Sequence, residues 1–194
     1  IDVLSASRTY LLRRRLFGLT AGENKFFPTL GAHLDELQDS AQPGEALFTR
    51  LSSAEYALRV PNDDEVRSHL RTINFYNLGK GRNYPRLLLS MIEGHLTKSR
   101  PVWNDSKLQL EHIMPQSLTK SWRDELGDSS EETHQELVNN IGNLTLIRHN
   151  QELGNKTFKE KLETYRGNSG LQISQNRILD RVRWNRESIE TRRD

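Results

Sequence analysis

The 194-residue chain contains no cysteine, which excludes disulfide bonds and thiolate metal sites such as zinc fingers. It also lacks any apolar run of the roughly 18 residues that a membrane helix needs, and its N-terminus has no signal-peptide pattern. A chain without cysteine is compatible with a reducing compartment. We therefore expect a cytoplasmic protein that does not associate with membranes.

An excess of charge of one sign is lacking too, because the net charge is only +2. Two segments are nevertheless locally basic: residues 8–25 carry five basic residues against Glu23, and residues 80–100 carry five against Glu93. Acidic residues concentrate between residues 124 and 136. This distribution is compatible with a basic face for nucleic acid, and equally with ordinary solvated helix surfaces.

Apolar residues at three- and four-residue spacing predict that the first hundred residues are helical. The predicted helices, four or five in number, cover residues 3–18, 26–37, 45–51, a segment from 63 to an end between 74 and 81, and 84–96. Arg100-Pro101 then ends the helical pattern, because the residue before a proline disfavours helical geometry. We expect residues 1–100 to form a helical subdomain.

The pattern changes after residue 101. Residues 108–113 and 143–147 alternate apolar and polar side chains, which predicts two short strands. Helices are predicted around residues 122–126, 131–138, 150–165 and 174–189. The expected fold class is mainly α with a small β hairpin, and residues 101–194 form the second domain.

The first predicted strand ends in Glu111-His112, and Pro115 follows shortly after. The pKa of a histidine lies near neutrality, so His112 could act as a general base, and the oxygens of Glu111 and Asn150 suit a hard ion such as Mg²⁺ or Mn²⁺. Adjacent residues of a strand point to opposite faces, so a turn at Met114-Pro115 would be needed to aim both side chains at one atom. From the residue types alone, a histidine at the end of a strand more commonly has a structural role than a catalytic one.

Three ordered blocks sharpen this interpretation: Leu110 to Gln116, Ile141 to Leu146, and Asn150 to Lys161. Together they resemble the His-Me finger (HNH, ββα-metal) nucleases and, more narrowly, the C-terminal nuclease family of GmrSD-type modification-dependent restriction enzymes. The flanking segments are similar to the same family. The resemblance implies a helical N-terminal subdomain packed on a ββα-metal nuclease core in residues 101–194.

The resemblance also implies roles for individual residues. His112 would be the general base, Asn143 would bridge the loop backbone to keep His112 oriented, and Glu111 and Asn150 would bind Mg²⁺ or Mn²⁺. Asn143 and Asn150 are close in sequence for such a loop, which leaves His149 and Asn155 as alternatives for the last ligand. The predicted DNA-binding residues are Arg148, Lys156, Lys159 and Lys161. Lys161 would either bind phosphate or fix its helix.

The same family implies partners. DNA would be the substrate, and an N-terminal nucleotide-binding or hydrolysing domain would belong to the same protein, of which this chain, beginning at Ile1, would be a C-terminal fragment. The chain is also similar to the nickase component of phosphorothioation-dependent antiphage restriction systems. One site per chain implies nicking unless two chains act as a homodimer. The competing hypotheses are a DNA-binding module that is dormant without the N-terminal domain, and a structural or oligomerisation module.

Overall fold

The computed structural model describes residues 2–19, 23–54, 58–79, 83–100, 105–148, 153–167 and 171–194. The fold is mainly helical with one two-stranded antiparallel sheet, which confirms the predicted class. The chain divides into two compact units, Ile1–His69 and Leu70–Asp194, which we call unit 1 and unit 2. No helix in the described ranges is both long and apolar enough to cross a membrane.

Unit 1 is built from helices around an apolar interior. The helices are α1 Val3–Leu16, α2 Glu23–Ala32, α3 Leu34–Gln38, α4 Pro43–Ser52 and the first part of α5, Asp63–Thr72. The core consists of Ala6, Tyr10, Phe26, Leu37, Leu47, Leu51 and Val60. The predicted start of α5 is confirmed: the Glu65 N–H donates to Asn62 Oδ1 at 2.9 Å, and the Asn62 N–H donates to Glu65 Oε2 at 2.8 Å.

The single helix predicted over residues 26–37 is wrong, because the structure divides it into α2 and α3. His33 between them has φ −118° and ψ 14°, outside helical geometry. Two residues with low helix propensity, Pro28 and Gly31, precede the break. The predicted apolar stripe therefore does not form one buried face, since Phe27 and Leu34 are 68% and 47% exposed.

Unit 2 contains the sheet and the remaining elements. They are α6 Tyr84–Thr97, β1 Gln109–His112, α7 Lys120–Leu126, α8 Ser130–Leu137, a 3₁₀ turn at Ile141–Asn143, β2 Leu144–Ile147, α9 Phe158–Gly167, a second 3₁₀ turn at Gln172–Ser174, and α10 Arg186–Arg193. The two strands pair antiparallel, with His112 opposite Leu144 and Glu111 opposite Thr145. All four residues of β2 are buried, so both faces of this strand are covered.

The core of unit 2 contains two fully buried tryptophans, Trp122 and Trp184. The Trp122 indole N–H donates to the carbonyl of Lys156 at 3.0 Å, so the polar end of this ring is satisfied. Phe158, at the start of α9, packs against Trp184 with ring centroids 5.4 Å apart. Helix α9 is thereby fixed to the segment before α10.

The long final helix predicted over residues 174–189 is also wrong. The chain instead makes the 3₁₀ turn at Gln172–Ser174, passes through further turns, and enters α10 only at Arg186. Arg177 has a left-handed backbone with φ 56°, which interrupts a right-handed helix. The Trp184 N–H donates to Glu125 Oε1 at 2.6 Å, so a contact distant in sequence holds this segment in a non-helical path.

Candidate active site

His112 is the last residue of β1 and is 9% exposed. Its Nε2 lies 3.1 Å from Asn139 Oδ1, and its ring centroid lies 4.6 Å from that of Tyr76. Burial is the main cause that lowers the pKa of His112 to about 4, so the imidazole is neutral near pH 7. With an oxygen acceptor at Nε2, the ring hydrogen is on that nitrogen and Nδ1 keeps its lone pair.

The side chain of Asn143 connects the loop after His112 to two other segments. Its Oδ1 accepts from the Met114 N–H at 2.8 Å and from the Trp184 indole N–H at 3.0 Å. Its Nδ2 donates to the carbonyls of Met114 and Val138 at 2.8 and 2.9 Å. Asn143 is fully buried. These bonds fix the backbone that follows the histidine.

The 3₁₀ turn that carries Asn143 is held in turn by α10. Arg192 Nη1 donates to the carbonyls of Gly142 and Leu144, each at 2.8 Å. Gly142 has no room for a side chain, because a Cβ there would clash with the carbonyl of Ile189. Burial lowers the pKa of Arg192 to about 10, which still leaves the guanidinium charged at neutral pH. Helix α10 therefore fixes the turn that carries Asn143.

Glu111, the residue before His112 in β1, forms a buried ion pair with Lys161. Lys161 Nζ lies 2.7 Å from Glu111 Oε1, with side-chain exposures of 1% and 4%, and it also donates to the carbonyl of His112 at 2.7 Å. Burial raises the pKa of Glu111 to about 7 against the opposing effect of the Lys161 charge, and burial also lowers the pKa of Lys161. The pair joins α9 to the end of β1.

Two of the predicted metal ligands, Glu111 and Asn155, lie within the described residues. Across these residues, no group of three His, Cys, Asp or Glu side chains is placed to hold a metal. One oxygen of Glu111 is already bound to Lys161, and Asn155 is exposed on the turn before α9. The predicted ligands Asn150 and His149 lie outside the described residues. Metal binding therefore stays a prediction.

The predicted DNA-binding residues lie in different environments. Lys156 and Lys159 are exposed, and Arg148 is partly exposed with its Nε 3.0 Å from Asp105 Oδ2. Lys161 is completely buried, so in this structure its ammonium group does not reach the surface where a phosphate would bind. Of the two roles expected for Lys161, its contacts fit the fixing of α9 and not a contact with DNA.

Three neighbours of the site were missed by sequence reasoning. Asn139 and Tyr76 contact the imidazole of His112, and His134 Nε2 lies 2.9 Å from the carbonyl of Pro115. The one available signal was the pair Asn139-Asn140, directly before the turn that carries Asn143, because asparagines beside a helix end commonly bind backbone or neighbouring side chains.

A comparison with protein families identifies a family that includes most of the chain. The family model described as GmrSD restriction endonucleases, C-terminal domain, matches residues 60–194, which is well over half of the chain and includes all of unit 2. The match covers β1, β2, α9 and every residue of the candidate active site. No curated protein matches the chain.

Proposed function

The chain belongs to the family of C-terminal domains of GmrSD restriction endonucleases, and from this premise we propose that it is a metal-dependent DNA nickase of the HNH type with His112 as general base. Membership of the family supports a nuclease domain of a restriction system. The catalytic residues, the metal and the cutting of one strand are our proposal. The observation that carries the proposal is the environment of His112. Its imidazole is neutral, and the backbone directly after it is fixed by the hydrogen bonds of the Asn143 side chain to Met114.

In the proposed reaction, Nδ1 of His112 takes a proton from a water molecule. The water oxygen bonds to phosphorus, the bond from phosphorus to one ester oxygen breaks, and the leaving oxygen takes a proton from solvent. The hydrogen bond to Asn139 keeps Nδ1 available for this transfer. An anionic phosphate close to the ring would raise the pKa of His112, which strengthens the base when substrate is bound.

A divalent cation, when bound, would stabilise the negative charge that develops on the phosphate. We propose Glu111 and Asn150 as its ligands, with His149 and Asn155 as alternatives for the second position. Ligation by Glu111 requires its carboxylate to exchange Lys161 for the ion at Oε1, or to use its other oxygen. Removal of divalent ions with EDTA is therefore expected to stop cleavage, and Mg²⁺ or Mn²⁺ is expected to restore it.

The exposed side chains of Lys156 and Lys159, with Arg148, are proposed to bind DNA phosphates beside the site. The proposed partners are DNA and an N-terminal nucleotide-binding domain of the same protein. One nuclease site per chain cuts one strand, and a homodimer would be required to cut both.

Cleavage of supercoiled plasmid tests the proposal. The parent chain is incubated with EDTA, Mg²⁺ or Mn²⁺, beside His112→Ala and the matched control His95→Ala, which changes an exposed histidine of α6. We expect nicked circles from the parent and the control, and a rate lower by about 100-fold or more for His112→Ala, because general base catalysis typically contributes 10²–10⁴-fold. Equal rates for His112→Ala and the parent would show that His112 is not the base.

A second candidate function is a DNA-binding module that cuts only when a separate nucleotide-binding domain activates it. The buried pair of Glu111 with Lys161 and the 9% exposure of His112 favour it, because both describe a closed site. Strong, salt-sensitive DNA binding without cleavage under any metal would support this candidate over the first.

A further inference from the structure

A cleft of about 440 Å³ in unit 2 is lined in part by Tyr76, whose ring contacts His112. Its size falls in the range of ligand-binding clefts, roughly 300–1,000 Å³. The described residues that line it come from the segment after α5, the start of α6 and strand β1. Its polar lining residues are Tyr76, Asn77, Asn83, Arg86 and Gln109.

Tyr76 connects this cleft to the candidate active site. Its ring packs against the imidazole of His112 with centroids 4.6 Å apart and planes tilted by 57°, yet the residue is 38% exposed. Part of the ring therefore remains open to the cleft. A flat group in the cleft that packs on the ring of Tyr76 is therefore separated from the imidazole of His112 only by that ring.

The position of Tyr76 is fixed by the residue that also binds His112. The N–H groups of Phe75 and Tyr76 donate to the carbonyl of Asn139 at 2.9 and 3.2 Å, and the side chain of Asn139 contacts His112 Nε2. Phe75 is completely buried and anchors the segment. Gly79 closes it with a left-handed φ of 62°, where a side chain would collide with the ring of Tyr84. The aromatic platform and the imidazole are thus held together.

The chemistry of the lining selects a ligand class. In the part of the chain that the structure describes, the side-chain amides of Asn77, Asn83 and Gln109 make no hydrogen bond, so they are available to donate and accept. Amides of this kind recognise the edges of nucleobases. Among the described lining residues, Arg86 is the one charged residue, and its Nη2 donates to the carbonyl of Asp105. An aromatic face, several amides and one cation together fit a nucleotide.

We propose that this cleft binds one unstacked nucleobase of the DNA next to the scissile phosphate, with Tyr76 as the stacking platform. The inference takes from the proposed function that the substrate is DNA. A base that enters the cleft must leave the helical stack, which is easiest at a mismatch or in single-stranded DNA. Substrates with a locally opened duplex are therefore bound more tightly by this site than fully paired ones.

Photocross-linking tests the proposal without requiring cleavage. A set of oligonucleotide duplexes with a central unpaired bubble carries 5-iodouracil at one bubble position each, and the full chain, as the parent and as His112→Ala, is irradiated with every duplex. Mass spectrometry then identifies the cross-linked residue. We expect cross-links at Tyr76 in both proteins. The yield should fall about tenfold in Tyr76→Leu and persist in Tyr76→Phe, because stacking needs the ring and not the hydroxyl.

Phe27→Leu is the matched control, since Phe27 is an exposed aromatic residue of unit 1 and its loss should leave the cross-link at Tyr76 unchanged. The proposal is overturned if the parent gives no cross-link at Tyr76, if Tyr76→Leu leaves the total yield unchanged, or if Tyr76→Phe loses it as fully as Tyr76→Leu does. Cross-linking at Tyr76 without any plasmid cleavage would reject the nuclease assignment alone. Plasmid cleavage without this cross-link would reject the nucleobase site alone.

Discussion

The interiors of the two units differ in chemistry. Unit 1 is filled by apolar side chains, and among its described residues Arg14 is the one buried charged or polar side chain; its Nη1 donates to the carbonyl of Arg59 at 2.8 Å. Unit 2 buries a much larger polar set, which includes Glu93, Glu111, Asn143 and Lys161. The two interiors therefore differ mainly in how many polar side chains they bury.

Three of the additional polar groups of unit 2 lie at the end of β1. Asn143, Glu111 and Lys161 all contact the backbone or side chains at the end of β1, where His112 lies. Glu93 accepts from the N–H groups of Gln172 and Ile173 at 3.1 and 2.7 Å and so holds the turn next to β2. Buried polar groups stabilise a fold only when they are fully paired, and the hydrogen bonds of Asn143, Glu111 and Lys161 fix the backbone at and directly after His112.

Among the variants that test this difference between the two units, Lys161→Met is expected to have the largest effect on the free energy of unfolding. It leaves Glu111 buried without its cation, and we expect the free energy of unfolding of unit 2 to fall by about 3–5 kcal/mol. The double variant with Glu111→Leu should recover most of this loss, because an apolar pair of similar volume is often as stable as a buried ion pair. Urea unfolding followed by the fluorescence of Trp122 and Trp184 measures both.

The matched control for this pair is Lys159→Met, which changes an exposed lysine of α9 and should alter the unfolding free energy by no more than about 0.5 kcal/mol. If Lys161→Met were as stable as this control, the buried pair would contribute nothing to unit 2. The buried polar groups of unit 2 would then not be needed for its stability, and the two interiors would not differ in this respect.

A smaller effect is expected from Asn143→Ala. The change removes a side chain with four hydrogen bonds, and the buried partners that it leaves unpaired should cost about 3 kcal/mol. The same urea experiment measures it, with Gln135→Ala, an exposed residue of α8, as the control. Cleavage should fall as well, because the loop after His112 is no longer fixed. If Asn143→Ala kept both the stability and the cleavage rate of the parent, Asn143 would not be the residue that fixes the loop after His112.

The smallest effect is expected in unit 1, from Glu65→Gln. Hydrogen bonds from Arg59 and Asn62 lower the pKa of Glu65 from 4.5 to about 2, so the native state favours the ionised form. This contribution is complete above pH 4.5 and is lost as the pH falls towards 2. Thermal unfolding followed by circular dichroism should show a slightly less stable variant at pH 7 and no difference near pH 2. A difference that persisted near pH 2 would contradict this assignment.

Much of the fold follows from local sequence patterns. The alternating residues beside Glu111-His112 and after Asn143 give β1 and β2, and the start of α5 follows from the capping pattern of Asn62 and Glu65. The candidate site was located in the same way, since the acidic residue, the histidine and the proline are close in the chain. Local spacing determines these features because the partners are neighbours in sequence.

The features that sequence reasoning missed depend on residues far apart in the chain. Lys161 reaches Glu111 across fifty positions, and Trp184 reaches Glu125 across fifty-nine, which breaks the helix predicted there. The contact of Tyr76 with His112 is of the same kind. Such contacts override local propensity because the free energy of burying and pairing side chains exceeds the small difference between helical and turn conformations.

Chemical rescue tests the central claim, that the polar interior of unit 2 positions His112 as a base, most directly. His112→Ala should nick plasmid slowly, and added imidazole should restore the rate in proportion to its unprotonated form, because the small base can occupy the space left by the side chain. Asn143→Ala, whose base is intact, should show no such response. Nicking by His112→Ala at the parent rate without imidazole would contradict the account.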